Sequence, residues 1–207
     1  MPMVKTATMA KASDSPTRRQ TILRVALDCF LARGVAQTTI EEIRDRSRAS
    51  IGSIYHHFGG KEAIAGALYI EALSDYQSGF IKELERHTAA RSGVRSLVAY
   101  HLRWIEEHTE RARYLFHMRG EDAIRAVEAE IAELNQAFFA RIALWLEPHV
   151  MGGAIRRLPT ELLSAILIAP AQQFGRGWLA GRARVSLDRA VRELADAAWL
   201  AVKGPRP

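Results

Sequence analysis

Between Thr17 and Lys203 the apolar residues recur at steps of three and four, and no stretch shows the sustained alternation that a half-buried strand needs. That single periodicity confines the chain to an all-α fold. The segments it marks are about nine. The first carries Ile22, Val25, Cys29 and Phe30 on one face and stops at Arg33-Gly34, a cation followed by a C′ glycine. A second opens on the capping box Thr39-Ile40-Glu41-Glu42 and runs to about Arg46, and Ser50 caps a third through about His56. Gly59-Gly60 breaks the chain before Lys61. A long fourth segment extends from there to about His87 with Ile64, Leu68, Ala72, Tyr76, Phe80 and Leu84 inward.

The fifth to seventh segments follow at Gly93–His108, Arg111–His117 and Glu121 to about Glu147, the last with Ile124, Val127, Ile131, Leu134, Phe138, Ile142 and Trp145 as its seam. After a linker around Gly152-Gly153 come an eighth, Leu162–Leu179, interrupted by Pro170, and a ninth, Ser186–Lys203. Residues 1–16 lack any period and form an expected flexible basic arm.

Charge is distributed unevenly along this series. Residues 1–61 hold ten Lys and Arg against five Asp and Glu, so of the net +6 only +1 belongs to the remaining chain. A basic field of this kind attracts polyanions, nucleic acid among them, although solubility alone also produces basic tails. One cysteine, Cys29, allows no internal disulfide and points to a reducing compartment. No apolar run reaches the roughly 18 residues of a membrane span, and no signal-peptide core is present at the N-terminus, so the expected location is cytoplasmic.

Two short capped helices joined by a tight turn, in the basic third of a chain, read as a helix-turn-helix, whose second helix fits the major groove of duplex DNA. The stretch TTIEEIRDRSRASIGSIYHHFGGKEAI, Thr38 to Ile64, resembles the DNA-binding signature of TetR-type transcriptional regulators at Thr39, Ile43, Ser50, Gly52, Tyr55, His57, Phe58, Lys61 and Glu62. The length and helix order resemble that family as well. The resemblance implies a helix-turn-helix domain over residues 17–62 and an effector-binding and dimerisation domain over 63–207.

It implies phosphate contacts by Thr39, Tyr55 and Lys61, with Arg44 and Arg46 adding backbone or groove contacts. Ser50 and Gly52 keep the helix start small enough for close approach. Ser53 and His56 are assigned to base reading and Ile51 to a thymine methyl, while Ile43, Ile54 and Phe58 are core and His57 is read as packing inward. The family places a small residue or glycine in the turn where this chain has Arg48; a left-handed conformation there costs a non-glycine residue roughly 1 kcal/mol, and the side chain is free to meet phosphate.

The same resemblance implies a double-stranded operator, a small-molecule effector held inside helices four to eight, and a homodimer formed by the eighth and ninth segments. The near-neutral second part suits an apolar or aromatic effector, with His101, Trp104, His117, Phe138, Trp145, Gln173 and Phe174 as candidate pocket residues. Neither a P-loop nor a dinucleotide fingerprint occurs, and no histidine has a glutamate three residues before it, so no cofactor, metal or enzymatic activity is expected. An all-α small-molecule-binding protein or enzyme with an incidental basic end is the alternative.

Overall fold

The structure is a computed structural model describing residues 17–118 and 121–205. The basic arm, residues 1–16, lies outside the described residues. Among those described, eleven helices run α1 (Arg18–Gln37), α2 (Ile40–Ser47), α3 (Ile51–Phe58), α4 (Lys61–Glu85), α5 (Ala90–Glu107), α6 (Thr109–Met118), α7 (Asp122–Arg125), α8 (Glu128–Met151), α9 (Thr160–Leu167), α10 (Ala169–Leu179) and α11 (Leu187–Val202). No β-strand occurs among them; Ile155 and Lys203 form one isolated bridge that ties the α8–α9 loop to the end of α11.

Side-chain caps open four of the helices, α1, α2, α3 and α11. Thr17 and Gln20 form a reciprocal capping box at the start of α1. Gly34 does not end that helix but kinks it, at φ 79°, and Thr38 Oγ1 donates to the Gly34 carbonyl at 2.8 Å to close the turn. At α2 only one arm of the expected box is made. Thr39 Oγ1 accepts from Glu42 N–H at 3.2 Å, whereas the Glu42 carboxylate meets Arg33 at 3.4 Å. Ser50 Oγ accepts from Ser53 N–H at 3.1 Å at the head of α3, and Ser186 does the same for α11 through Arg189 N–H.

Two expected helices are each divided. The seventh segment breaks at Ala126-Val127 because Ile124 turns into the core beneath α1–α4, and Val127 lies where a side chain on Gly66 of α4 would stand. The eighth breaks at Ile168: Pro170 has no N–H for the Ile166 carbonyl and its ring crowds that carbonyl, so the chain restarts as α10.

Two main cores result. One packs Ile22, Phe30, Ile43, Ile54, Ile64 and Leu68 of α1–α4 against Tyr114, Met118 and Ile124 of α6 and α7. The other joins α5 and α8–α11 through Val94, Leu102, Leu163, Leu187, Ala198 and Val202. Helix α4, 25 residues or roughly 37 Å long, belongs to the first core at its start and to a smaller aromatic cluster around Phe80 and Leu84 at its end. The Tyr114 hydroxyl donates to the Ala65 carbonyl at 2.9 Å, fastening α6 to α4.

Candidate nucleic-acid interface and internal cavity

Helix α3 is only eight residues long and is held by one fully buried side chain, Ile54, with half-buried Phe58 one turn on. Periodicity then puts the other residues outside. Ile51, Gly52, Tyr55 and His56 are exposed, Tyr55 by 51%, and Ser53 is half-exposed. His57, expected inward, is exposed as well: Ile54 and Phe58, four apart, take the inner face, and His57 sits on the flank with its ring edge-on to His56. The Arg19 guanidinium covers the Phe58 ring at 5.3 Å.

Around this rod the cations differ in how free they are. Arg48 adopts the left-handed conformation, φ 54° and ψ 29°, in the turn between α2 and α3. Its carbonyl accepts from Arg18 at 3.3 Å, while its exposed guanidinium has no partner among the described residues. Arg44 is paired with Asp45 at 2.6 Å. Arg46 reaches back to Cys29 Sγ at 3.0 Å and Asp28 at 3.5 Å. Lys61 Nζ donates to the Ala36 carbonyl at 3.1 Å, bridging the first turn of α4 to the end of α1. Thr39 is exposed at the N-terminus of α2. A side chain on Gly52 would meet only Ser50 Oγ, at an ordinary 4.0 Å, so nothing inside the protein demands glycine there. Arg18, unassigned from the sequence, joins this surface; its only sequence signal was its place in the first turn of the basic third.

Behind this head, α4–α10 enclose a cavity of about 610 Å³. His101, Trp104 and Phe138 line it, as do Tyr76, Gln77 and Asn135. Four expected residues stand elsewhere. His117 is exposed at the end of α6. Trp145 donates its indole N–H to the His87 carbonyl at 2.8 Å and lies against Gly93. Phe174 packs into the second core, and Gln173 is exposed while its neighbour Gln172 lines the cavity, because the break at Ile168 resets the phase of α10. Ile131, Phe138 and Ile142 of α8 front this space and are only partly buried; Leu146, also in the wall, is the one buried residue of that helix.

The polar groups in the cavity are few and mostly paired. Gln77 Nε2 donates to Asn135 Oδ1 at 2.8 Å, and Tyr76 Oη lies 2.8 Å from His101 Nδ1. Burial holds His101 down to about pKa 4, well below an ordinary imidazole, and raises the Tyr76 hydroxyl far above its usual range. Exposed Glu121, Arg125 and Glu128 stand at the rim. No group of three or more His, Cys, Asp or Glu suited to a metal occurs among the described residues, and none of their helices is long and apolar enough to cross a membrane.

An exposed short helix anchored by one buried residue, beside unpaired and half-paired cations, defines a helix-turn-helix DNA-binding protein. Residues 22–68 match the family described as bacterial regulatory proteins, tetR family. The chain is 26% identical over 199 residues to the HTH-type transcriptional repressor KstR2 of Rhodococcus jostii (strain RHA1), covering 92% of this chain and 80% of that one. It is 41% identical over 58 residues to the HTH-type transcriptional repressor AcnR of Corynebacterium glutamicum, where the match spans 28% of this chain and 31% of AcnR. The fold is similar to that of a TetR family transcription regulator from Marinobacter aquaeolei VT8, with TM-score 0.74, 19% identity, and coverage of 91% and 96% of the two chains. Residues 22–68 therefore carry a DNA-binding domain of the tetR type, and the chain is a DNA-binding transcriptional regulator.

Proposed function

We propose that this regulator is a ligand-responsive repressor that binds a palindromic operator as a homodimer. The observation that carries the reading is the outward face of α3, Ile51, Gly52, Tyr55 and His56, set on the buried anchor Ile54. In this arrangement Ser53 and His56 read base edges and Ile51 meets a thymine methyl. Tyr55, Thr39 and Arg48 hold phosphates, with Arg44 and Arg46 contributing as their present partners Asp45 and Asp28 release them. Lys61 gives one proton to Ala36 and keeps two for a phosphate. Ser50 and Gly52 add no bulk at the groove.

Dimerisation is assigned to α9–α11, which correspond to the eighth and ninth segments of the sequence reading. Leu162 on α9 and Leu200 on α11 expose large apolar side chains, Leu200 by 60%, on helices whose other faces build the second core. A twofold pair must present its α3 rods about 34 Å apart to reach successive major grooves.

The cavity is the proposed effector site, with His101, Trp104 and Phe138 in its wall. Its wall is also part of the head's packing: Leu115, Ile124 and Ile131 front the cavity and pack in the core of α1–α4. An apolar or aromatic effector that displaces these side chains moves α4 through the Tyr114–Ala65 bond and changes the rod spacing. Selection of bound fragments from the source genome tests the reading: recovery of one palindromic site supports it, and random recovery favours a small-molecule-binding protein with an incidental basic end. On that site Lys61→Ala is expected to weaken binding to all sequences alike and to lower the salt slope, whereas Ser53→Ala alters preference at one base position.

A further inference from the structure

Among the described residues two buried side-chain atoms lack a hydrogen-bond partner, Arg176 Nε and His101 Nε2. Arg176 is outside the cavity wall, its guanidinium 5.0 Å from the Phe116 ring. His101 is in the wall, 5% exposed, and its other nitrogen meets Tyr76 Oη at 2.8 Å.

The proton arrangement follows from counting donors. The Tyr76 hydroxyl has no other acceptor among the described residues, so if Nδ1 carried the proton, the phenol hydrogen and the Nε2 lone pair would both be unpaired. With the phenol donating to Nδ1, a single unpaired group remains, the Nε2–H. The depressed basicity of the ring keeps it neutral, so it offers a donor and no charge. The other polar pair of the wall, Gln77 and Asn135, is uncharged too. At the rim, Arg125 is paired with Asp122 at 3.2 Å and flanked by Glu121 and Glu128, a setting that repels a carboxylate.

We propose that the effector is an uncharged, largely apolar molecule carrying a hydrogen-bond acceptor, a carbonyl or ether oxygen, which takes the Nε2–H of His101. The proposal rests on the cavity being the effector site. Nε2 is itself buried, so the acceptor is met by a small turn of the imidazole about χ2, a broad torsion. The acceptor fixes the ligand's orientation, and the surrounding Tyr76, Trp104 and Phe138 rings supply apolar contact.

Calorimetric titration of the full chain with benzophenone, and with diphenylmethane in which CH2 replaces the C=O, isolates the acceptor. Benzophenone is expected to bind about tenfold more tightly, with 4-benzylbenzoate weaker than either. His101→Phe is expected to lose that preference while still binding diphenylmethane. Equal affinities in the wild type, or a preference that survives in His101→Phe, overturn the proposal, as does tighter binding of the benzoate. If neither neutral compound binds, the effector-site reading of the cavity falls instead. Should His101→Phe not fold, nitrogen-15 NMR of the wild type decides: the expected result is an Nε2–H tautomer whose Nε2 resonance moves on adding benzophenone, and an Nδ1–H tautomer or an unmoved resonance refutes it.

Discussion

Replacing His101 by glutamine should change how stability depends on pH more than it changes stability itself. The folded protein holds this ring at a pKa of about 4, against 6.5 for an ordinary histidine, because burial disfavours the imidazolium. Since the folded pKa is the lower one, the unfolded chain binds the extra proton between those values. The stabilisation from the neutral ring is therefore complete above the unfolded pKa and lost as pH falls through 6.5 toward 4. The gap of about 2.5 pKa units corresponds to roughly 3 kcal/mol in all, of which about 2 kcal/mol disappears between pH 7 and pH 5. For a chain of this size that is a fall in Tm of about 4–8 °C. Asp75, which faces the same group of rings, is already engaged by Trp104 Nε1 and Arg111, so its carboxylate is not available to offset the loss. Glutamine cannot titrate in this range and keeps an amide oxygen for the Tyr76 hydroxyl. Thermal unfolding at pH 7 and pH 5 should therefore show the large drop in the wild type and a drop smaller by about 4–8 °C in His101→Gln. Equal drops in the two proteins would refute the argument that the buried neutral ring controls this pH range.

Other substitutions separate the parts of the molecule. Ile54→Ala removes the sole fully buried side chain of α3 and is expected to cost about 2–5 kcal/mol in urea unfolding and to abolish operator binding. Gly66→Ala places a methyl 2.8 Å from Val127 Cγ1; Val127 must yield, and a loss of about 1–3 kcal/mol with a shifted effector response in gel-shift titration is expected. Leu162→Glu together with Leu200→Glu should leave the circular-dichroism spectrum intact and convert the protein to monomer in analytical ultracentrifugation; an unchanged dimer would place the interface elsewhere.

How much could be read before the structure differs from one part to the next. The short helices with Thr39 and Ser50 as caps were legible, because each depends on neighbours within four residues along the chain, while Ile54 as anchor and the left-handed turn at Arg48 followed from the family resemblance. His57 was not, since the choice of which aromatic turns inward on so short a helix depends on where α1 and α4 lie. Of the expected seam, Ile131, Phe138 and Ile142 of α8 front the cavity while Leu134 and Trp145 do not, because periodicity does not distinguish a helix packed against a core from one facing open space.

The amino-acid order determined most of the helices, four of their caps, the break near Pro170 and the basic charge of the N-terminal third, because backbone hydrogen bonds, proline geometry and side-chain period are local properties. Tertiary structure decided the rest. A cavity is the volume that several helices jointly leave unfilled, and the pairing of Tyr76 with His101 joins residues 25 positions apart on different helices. The same packing broke the chain at Val127, turned Gln172 rather than Gln173 inward, and gave Leu115, Ile124 and Ile131 one face in the cavity and another in the DNA-binding head. No periodicity within a single segment encodes such shared walls, since they exist only once the segments are in contact.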